Sequence, residues 1–349
     1  MSNYDQFAAA VKEISGGKNV VLLDDLGLPS VYVPINKLKN SEIISGGSEN
    51  THPAFSVNGV EKSRFLYSKY QNIVINGRAY SLSHRDPKTY VNFDQARQAC
   101  EAKGAGFHLG TLAEWAAVAL LTRKMGTMPH GNNNYGGDSA YTYEKGQESA
   151  KDNNKTGRTF TGSGPATWGH DHTQFGIQDM NGNVWEWLGG MRLNEGEIQI
   201  IPYNNAALGS ECDMSASSTL WKAIKNDGSL VAPGTAATLK YDFVSGNIQL
   251  TTGITSAQDA GRGGSYTAMT LASGVTAPEL AKALILYPDE PGKDYGGDYH
   301  WMNNAGERLP VAGGDWGHGA SAGVFRLNLA YARSYSDGHI GFRSAYVEL

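Results

Sequence analysis

The chain has 349 residues, and 44 of them are glycine, about 13% against a usual ~7%. Hydrophobic residues make up 40% and charged residues only 18%, with 18 Tyr and 7 Trp, which excludes global disorder; the glycines show no three-residue period, which excludes collagen. Lys and Arg number 29 against 34 Asp and Glu, a net charge of −5 with no basic cluster, so a surface that tracks nucleic-acid phosphates is not expected. What remains is a loop-rich globular chain with many tight turns.

In chain order, residues 4–14 carry apolar side chains at helical spacing and end at Gly16-Gly17, which predicts a helix. Residues 20–23 and 31–35 read as short strands. We expect residues 1–54 to form a small separate module for attachment or oligomerisation, and residues 55–349 to form one α+β domain. Residues 65–70 and 72–75 are strand-like, with Asn76-Gly77 as a turn. A helix over 94–103 follows a capping Asn92 and stops at Gly104. A second, over 111–125, opens on Thr111 with Glu114 three residues on, a capping box. Residues 129–164 read as loop. An irregular insertion spans about 190–300, with strands expected at 198–201, 238–243 and 247–251; residues 277–286 are short helix or strand. No apolar run approaches the ~20 residues of a membrane span, and neither end reads as a signal peptide. Cys100 and Cys212 fit no zinc spacing, and whether they pair stays open.

The segment FGIQDMNGNVWEW over residues 175–187 places a turn at Asn181-Gly182-Asn183 and two tryptophans on one side of a short strand. GIQDMNGNVWEW resembles the signature of the formylglycine-generating enzyme family, a variant of the C-type lectin fold. Residues 90–115 are similar to that family's pair of helices, although His108-Leu109-Gly110-Thr111 departs from its arginine-leucine-proline-threonine turn. Gly313-Gly314-Asp315-Trp316 and Ile340-Gly341-Phe342-Arg343 resemble its closing motifs. The fold implied is α+β, a C-type lectin fold of the formylglycine-generating enzyme type. The family's copper-thiolate oxidase chemistry needs two cysteines in the C-terminal segment, and residues 213–349 contain none. His170-Asp171-His172 is the one local metal candidate, with no third ligand visible. The resemblance also implies a structural calcium at Asp179, with carbonyls from Met180, Gly182 and Val184; oxygen ligands suit Ca²⁺, and no other cofactor is required. Arg343 and Glu186 are expected to pair in the interior.

Residues 311–347 contain no Lys, Glu, Gln, Met, Cys, Pro or Thr. Trp316, Val324, Phe325, Leu327, Leu329, Ile340 and Phe342 form an apolar frame, and small, hydrogen-bonding and tyrosine residues fill the places between. Tyrosine offers large contact area at low entropy cost, and Ser, Gly, Asn and Asp adapt their hydrogen bonds. This segment resembles the variable region of proteins diversified by retroelements in phages and bacteria, in which adenine-directed mutagenesis rewrites the first two bases of asparagine codons. Asp315, Gly317, His318, Ser321, Arg326, Asn328, Ala330, Tyr331, Tyr335, Asp337, Gly338 and His339 are all reachable from such codons and are the candidate ligand-binding positions, with Trp316 as framework. Tyr331, Tyr335, Arg326 and Trp316 are the expected hot spots. Changes at the twelve should alter stability by ~0.5 kcal/mol or less, whereas Trp316→Ala and Phe342→Ala should cost ~3–5 kcal/mol if buried.

The resemblance implies a non-enzymatic receptor-binding protein of phage or prophage origin. It would be made in the cytoplasm and carried on a phage tail or another surface. Its ligand would be a protein or surface glycan on a target cell, and a homo-oligomer or larger assembly would raise weak affinity through avidity. Two alternatives remain: an oxidoreductase of the formylglycine-generating type and a fixed-specificity carbohydrate-binding module.

Overall fold

Residues 3–349 are described by a computed structural model. The helix Asn3–Ile14 forms where the apolar spacing places it and ends at Gly16 and Gly17, both at positive φ. None of its residues is buried; Ala8 and Val11 rest against Val21, Val31 and Tyr70. Strands Val20–Leu23 and Pro29–Asn36 pair antiparallel. Pro29–Asn36 then pairs with Arg64–Ser68, which pairs with the C-terminal strand Ser344–Tyr346, which pairs with Phe107–Leu109. The Tyr32 and Ser344 hydroxyls lie 2.9 Å apart in the interior. Residues 20–36 are therefore part of a five-stranded sheet closed by the far end of the chain, and the separate N-terminal module expected from the sequence is not what forms. Tyr32 is buried on one face of its strand and Val33 and Ile35 on the other, and burying both faces favours a central place in a sheet over a free one.

The two capped helices form as their boundary residues dictate. Asn92 accepts from the Gln95 amide and opens Phe93–Glu101; Thr111 accepts from the Glu114 amide and opens Leu112–Met125, which Gly126 ends at φ 70°. The longer helix is buried on nearly every side, and its Trp115 indole donates to the Val324 carbonyl at 2.7 Å. That contact ties the central helix to the segment that carries the candidate site.

A second, larger sheet has thirteen strands. Glu307–Gly313 pairs antiparallel with Gly323–Tyr331, and Trp185–Trp187 lies between Glu307–Gly313 and Ile340–Phe342. Tyr299–Met302 and Arg262–Ser265 extend one side; Met191–Asn194, Glu197–Ile200, Lys240–Val244 and Asn247–Thr251 extend the other. The stretch expected as an irregular insertion in the domain thus supplies most of the strands of the main sheet. Within it, Glu279–Ala283 is helical. Cys100 and Cys212 are free thiols, both buried in the cluster that holds Trp185, Trp187 and Phe342. Among the described residues, no helix is long and apolar enough to cross a membrane.

Candidate functional site

The site starts from a break in strand register. Ala312 pairs with Leu327, but the next residue, Gly313, pairs with Gly323, so residues 324–326 bulge from the ladder. Phe325, Leu327 and Leu329 point into the core, while Arg326, Asn328 and Ala330 take the opposite face. On that face the Trp185–Trp187 strand presents both indoles, because they are two residues apart.

Each tryptophan organises one half of the surface. Trp185 meets the His318 ring edge-on at 5.0 Å, and the Arg326 guanidinium lies 5.0 Å from its ring centre. His318 Nδ1 lies 2.8 Å from Asp315 Oδ1, which also accepts from the Gly317 amide. Burial would raise the Asp315 carboxyl, but His318 and the Gly317 amide hold it below the usual carboxylate range. Trp187 meets Tyr331 edge-on, and Tyr331 stacks on Tyr335 with ring centres 4.3 Å apart and planes 8° from parallel. The Tyr335 hydroxyl donates to Asp337, whose other oxygen is 3.2 Å from His339 Nδ1. Burial, with Tyr335 and Asp315 nearby, pushes the Tyr331 phenol up to about 12. Asn328 turns back to accept from the Ala330 amide.

Of the twelve candidate positions, Gly317 is exposed, ten are half-buried, and Arg326 is buried. Arg326 is 3% exposed and donates to the carbonyl and hydroxyl of Ser321, so it braces the loop above it and offers little surface of its own. Desolvation lowers its guanidinium to about 10. Trp316 is half-buried, with its indole donating to Asp152 at 3.1 Å, so the large stability cost expected for a buried Trp316 does not apply. Val324, Phe325, Leu327, Leu329, Ile340 and Phe342 are buried.

Several scaffold residues that the sequence did not single out hold this surface. The Tyr135 amide donates to the Trp316 carbonyl, the Gly319 amide to Asn133, and the Arg158 guanidinium to the Gly338 carbonyl. Tyr90 is 68% exposed with φ 53°, donates its amide to Asp337, and lies so close to Gly338 that a Cβ there would fall 2.8 Å from its hydroxyl. Nothing in the local sequence of the glycine-rich loop marks these contacts, because their partners lie about two hundred residues away.

Beneath the surface, Glu186 and Arg343 form the expected buried pair at 2.7 Å. Arg343 also donates to the carbonyls of Ser68, Lys69 and Gln178, and Gln71 donates to Glu186. Burial raises the Glu186 carboxyl, and Arg343 opposes that. The loop expected to hold calcium is organised differently. The Gln71 amide nitrogen donates to the carbonyls of Asp179 and Val184, so the Val184 oxygen already has a donor. Asp179 accepts from the Gly162 amide through one oxygen, its other oxygen has no partner, and burial pushes the carboxyl up to about 6. An amide nitrogen seated among the acceptors does not fit a calcium ion. His170 accepts from the Ile177 amide, and burial lowers its ring to about 4; His172 faces the Met128 carbonyl. Among the described residues, no group of three or more His, Cys, Asp or Glu side chains is placed to hold a metal.

A central capped helix packed on a mixed sheet, with the WEW strand beside the closing strands, defines an α+β chain of the C-type lectin type found in formylglycine-generating enzymes. The chain belongs to the family of sulfatase-modifying factor enzyme 1-like domains, which it matches over residues 34–269. The match takes in the strand at residue 34 and much of the stretch read as an insertion, and stops before the candidate site. Among solved structures, the chain is similar to Treponema denticola variable protein 1, with 12% identity over 94% of this chain and 98% of that one and a TM-score of 0.35. It is also similar to PvdO from Pseudomonas aeruginosa, with 13% identity, 94% and 97% coverage and a TM-score of 0.38. The U1 variant of the Major Tropism Determinant is a further neighbour, with 10% identity, 90% and 62% coverage and a TM-score of 0.32. Curated proteins give no match.

Proposed function

We propose that this chain is a non-enzymatic ligand-binding protein whose C-terminal segment is a variable region diversified by a retroelement. One observation carries the reading. Eleven of the twelve candidate positions are at least partly exposed, and they interleave with the buried residues of the frame. A scaffold of this kind separates stability from recognition. The Tyr331–Tyr335 stack and the Asp–His pairs on either side supply aromatic area and adaptable hydrogen bonds.

The oxidoreductase alternative is weakened by the thiols. Cys100 and Cys212 both sit in the core, and burial raises both above the ordinary thiol range, the reverse of what a thiolate metal ligand needs. The reading requires no cofactor. It places the chain on a phage tail or another displayed surface, with a protein or glycan on a target cell as ligand and several copies assembled for avidity. The test is the DNA beside the gene. A near-copy of the 3′ end carrying asparagine codons at the twelve positions, next to a reverse transcriptase, is expected. A flank with no such copy in any strain carrying the gene would overturn the reading.

A further inference from the structure

A cavity of about 1120 Å³ is separate from the varied face. None of the twelve positions lines it, although Ala320, Ala322 and Gly323, which flank Ser321, do. Five carboxylates and three cationic side chains border it. Four of the five carboxylates are already engaged. Asp138 accepts from the amides of Gly131, Ala140 and Tyr141. Asp289 accepts from Arg123, Tyr295 and the Ser45 amide, Glu290 from Arg123, and Asp294 from the Gly296 amide.

Asp298 is different. It is 1% exposed, and one oxygen accepts from the Phe325 amide at 2.7 Å. Among the described residues no hydrogen bond reaches its other oxygen, Oδ1, and the buried Arg326 guanidinium acts on the group at longer range without forming an ion pair with it. Gly323 makes room for the carboxyl, since a Cβ there would fall 2.2 Å from Oδ1. Burial holds the group well above the ordinary carboxylate value. Burial alone therefore favours the neutral acid, and a compact ammonium with three donors placed at Oδ1 would favour the carboxylate. The stacked pair of His130 and Tyr141, ring centres 3.8 Å apart, also lines the cleft and offers an aromatic face to a cation. Lys124 and Lys293 stand exposed at the border, where solvent screens them.

We propose that this cleft binds an alkylammonium group, with the Asp298 carboxylate as its counter-ion. The group can come from a free polyamine or from a lysine side chain of a partner protein. Calorimetric titration of the full chain with spermidine, and with an end-blocked Gly-Lys-Gly peptide, tests this. At least one probe should bind at one site. Asp298→Asn, which keeps the Phe325 hydrogen bond, should weaken that probe by about tenfold or more. Tyr331→Ala, on the other face, should leave its affinity unchanged. Spermidine alone binding assigns a polyamine; the peptide binding assigns a partner's lysine. The Nε-acetylated peptide gives a readout that does not depend on a variant folding, and it should not bind. Failure of both probes, equal binding by Asp298→Asn, or equal binding of the acetylated peptide would overturn the proposal.

Discussion

Asp179 shows how a single buried group sets a pH dependence. Its carboxyl lies near 6 in the folded chain against an ordinary 3.8, and it is fully buried with one oxygen unpartnered. Between those values the folded chain keeps a proton that the unfolded chain has lost. Its contribution to stability is therefore whole below 3.8 and falls as pH rises through 6, a difference of about 3 kcal/mol. Asp179→Asn removes that loss and keeps the acceptor for Gly162. Thermal melts should show the variant more stable than the parent at pH 7.5 and not at pH 4, with added calcium changing neither. Equal destabilisation at both pH values, or a calcium-dependent rise in the parent alone, would contradict the account. Arg326 is the residue at which stability and recognition overlap. Arg326→Ala forfeits its bonds to Ser321 and its contact with Trp185, and should cost ~1–3 kcal/mol in urea titration, while Ser321→Ala and Ala330→Ser should cost ~0.5 kcal/mol or less. Codon reachability picks out the twelve positions but carries no information on depth, so the burial of Arg326 is visible only in the fold.

The strand Trp185–Trp187 is the element on which the site turns. Its two buried indoles pack beneath the varied face, and Glu186 between them pairs with Arg343 of the closing segment. Glu186→Gln keeps the shape and leaves the Arg343 charge buried without its counter-charge, which should cost ~3–5 kcal/mol. Equilibrium unfolding of that variant against Phe342→Ala, expected at ~3–5 kcal/mol through cavity formation, compares the two supports directly. A loss below ~1 kcal/mol for Glu186→Gln would show that Gln71 and the carbonyls around Arg343 suffice. Local elements were readable. Capping residues placed both helices within a residue or two, and turn glycines with alternating apolar residues placed Asn247–Thr251. Pairing partners were not. Nothing near residues 29–36 announces that Arg64–Ser68 will lie beside them and Ser344–Tyr346 beside that strand in turn, because sheet order is set by long-range burial that a single sequence does not display.

Across the whole molecule, the first and last strands belong to the same sheet with two strands between them, so the chain should unfold as a unit. Expressed alone, residues 55–349 lack the strand that buries Tyr32, Val33 and Ile35, and should give a dye-binding state without a cooperative melt. A fragment melting like the full chain would restore the separate module. The central claim is that residues 311–347 divide into a frame that folds and a set of positions free to vary. Its most direct measurement is the protease-resistant fraction of two displayed libraries, one randomised with asparagine-derived codons at the twelve positions and one randomised likewise at Val324, Phe325, Leu327, Leu329, Ile340 and Phe342. The account predicts that most members of the first library stay folded, with Arg326 the one position under selection, and that few members of the second do. Comparable losses from both would contradict it.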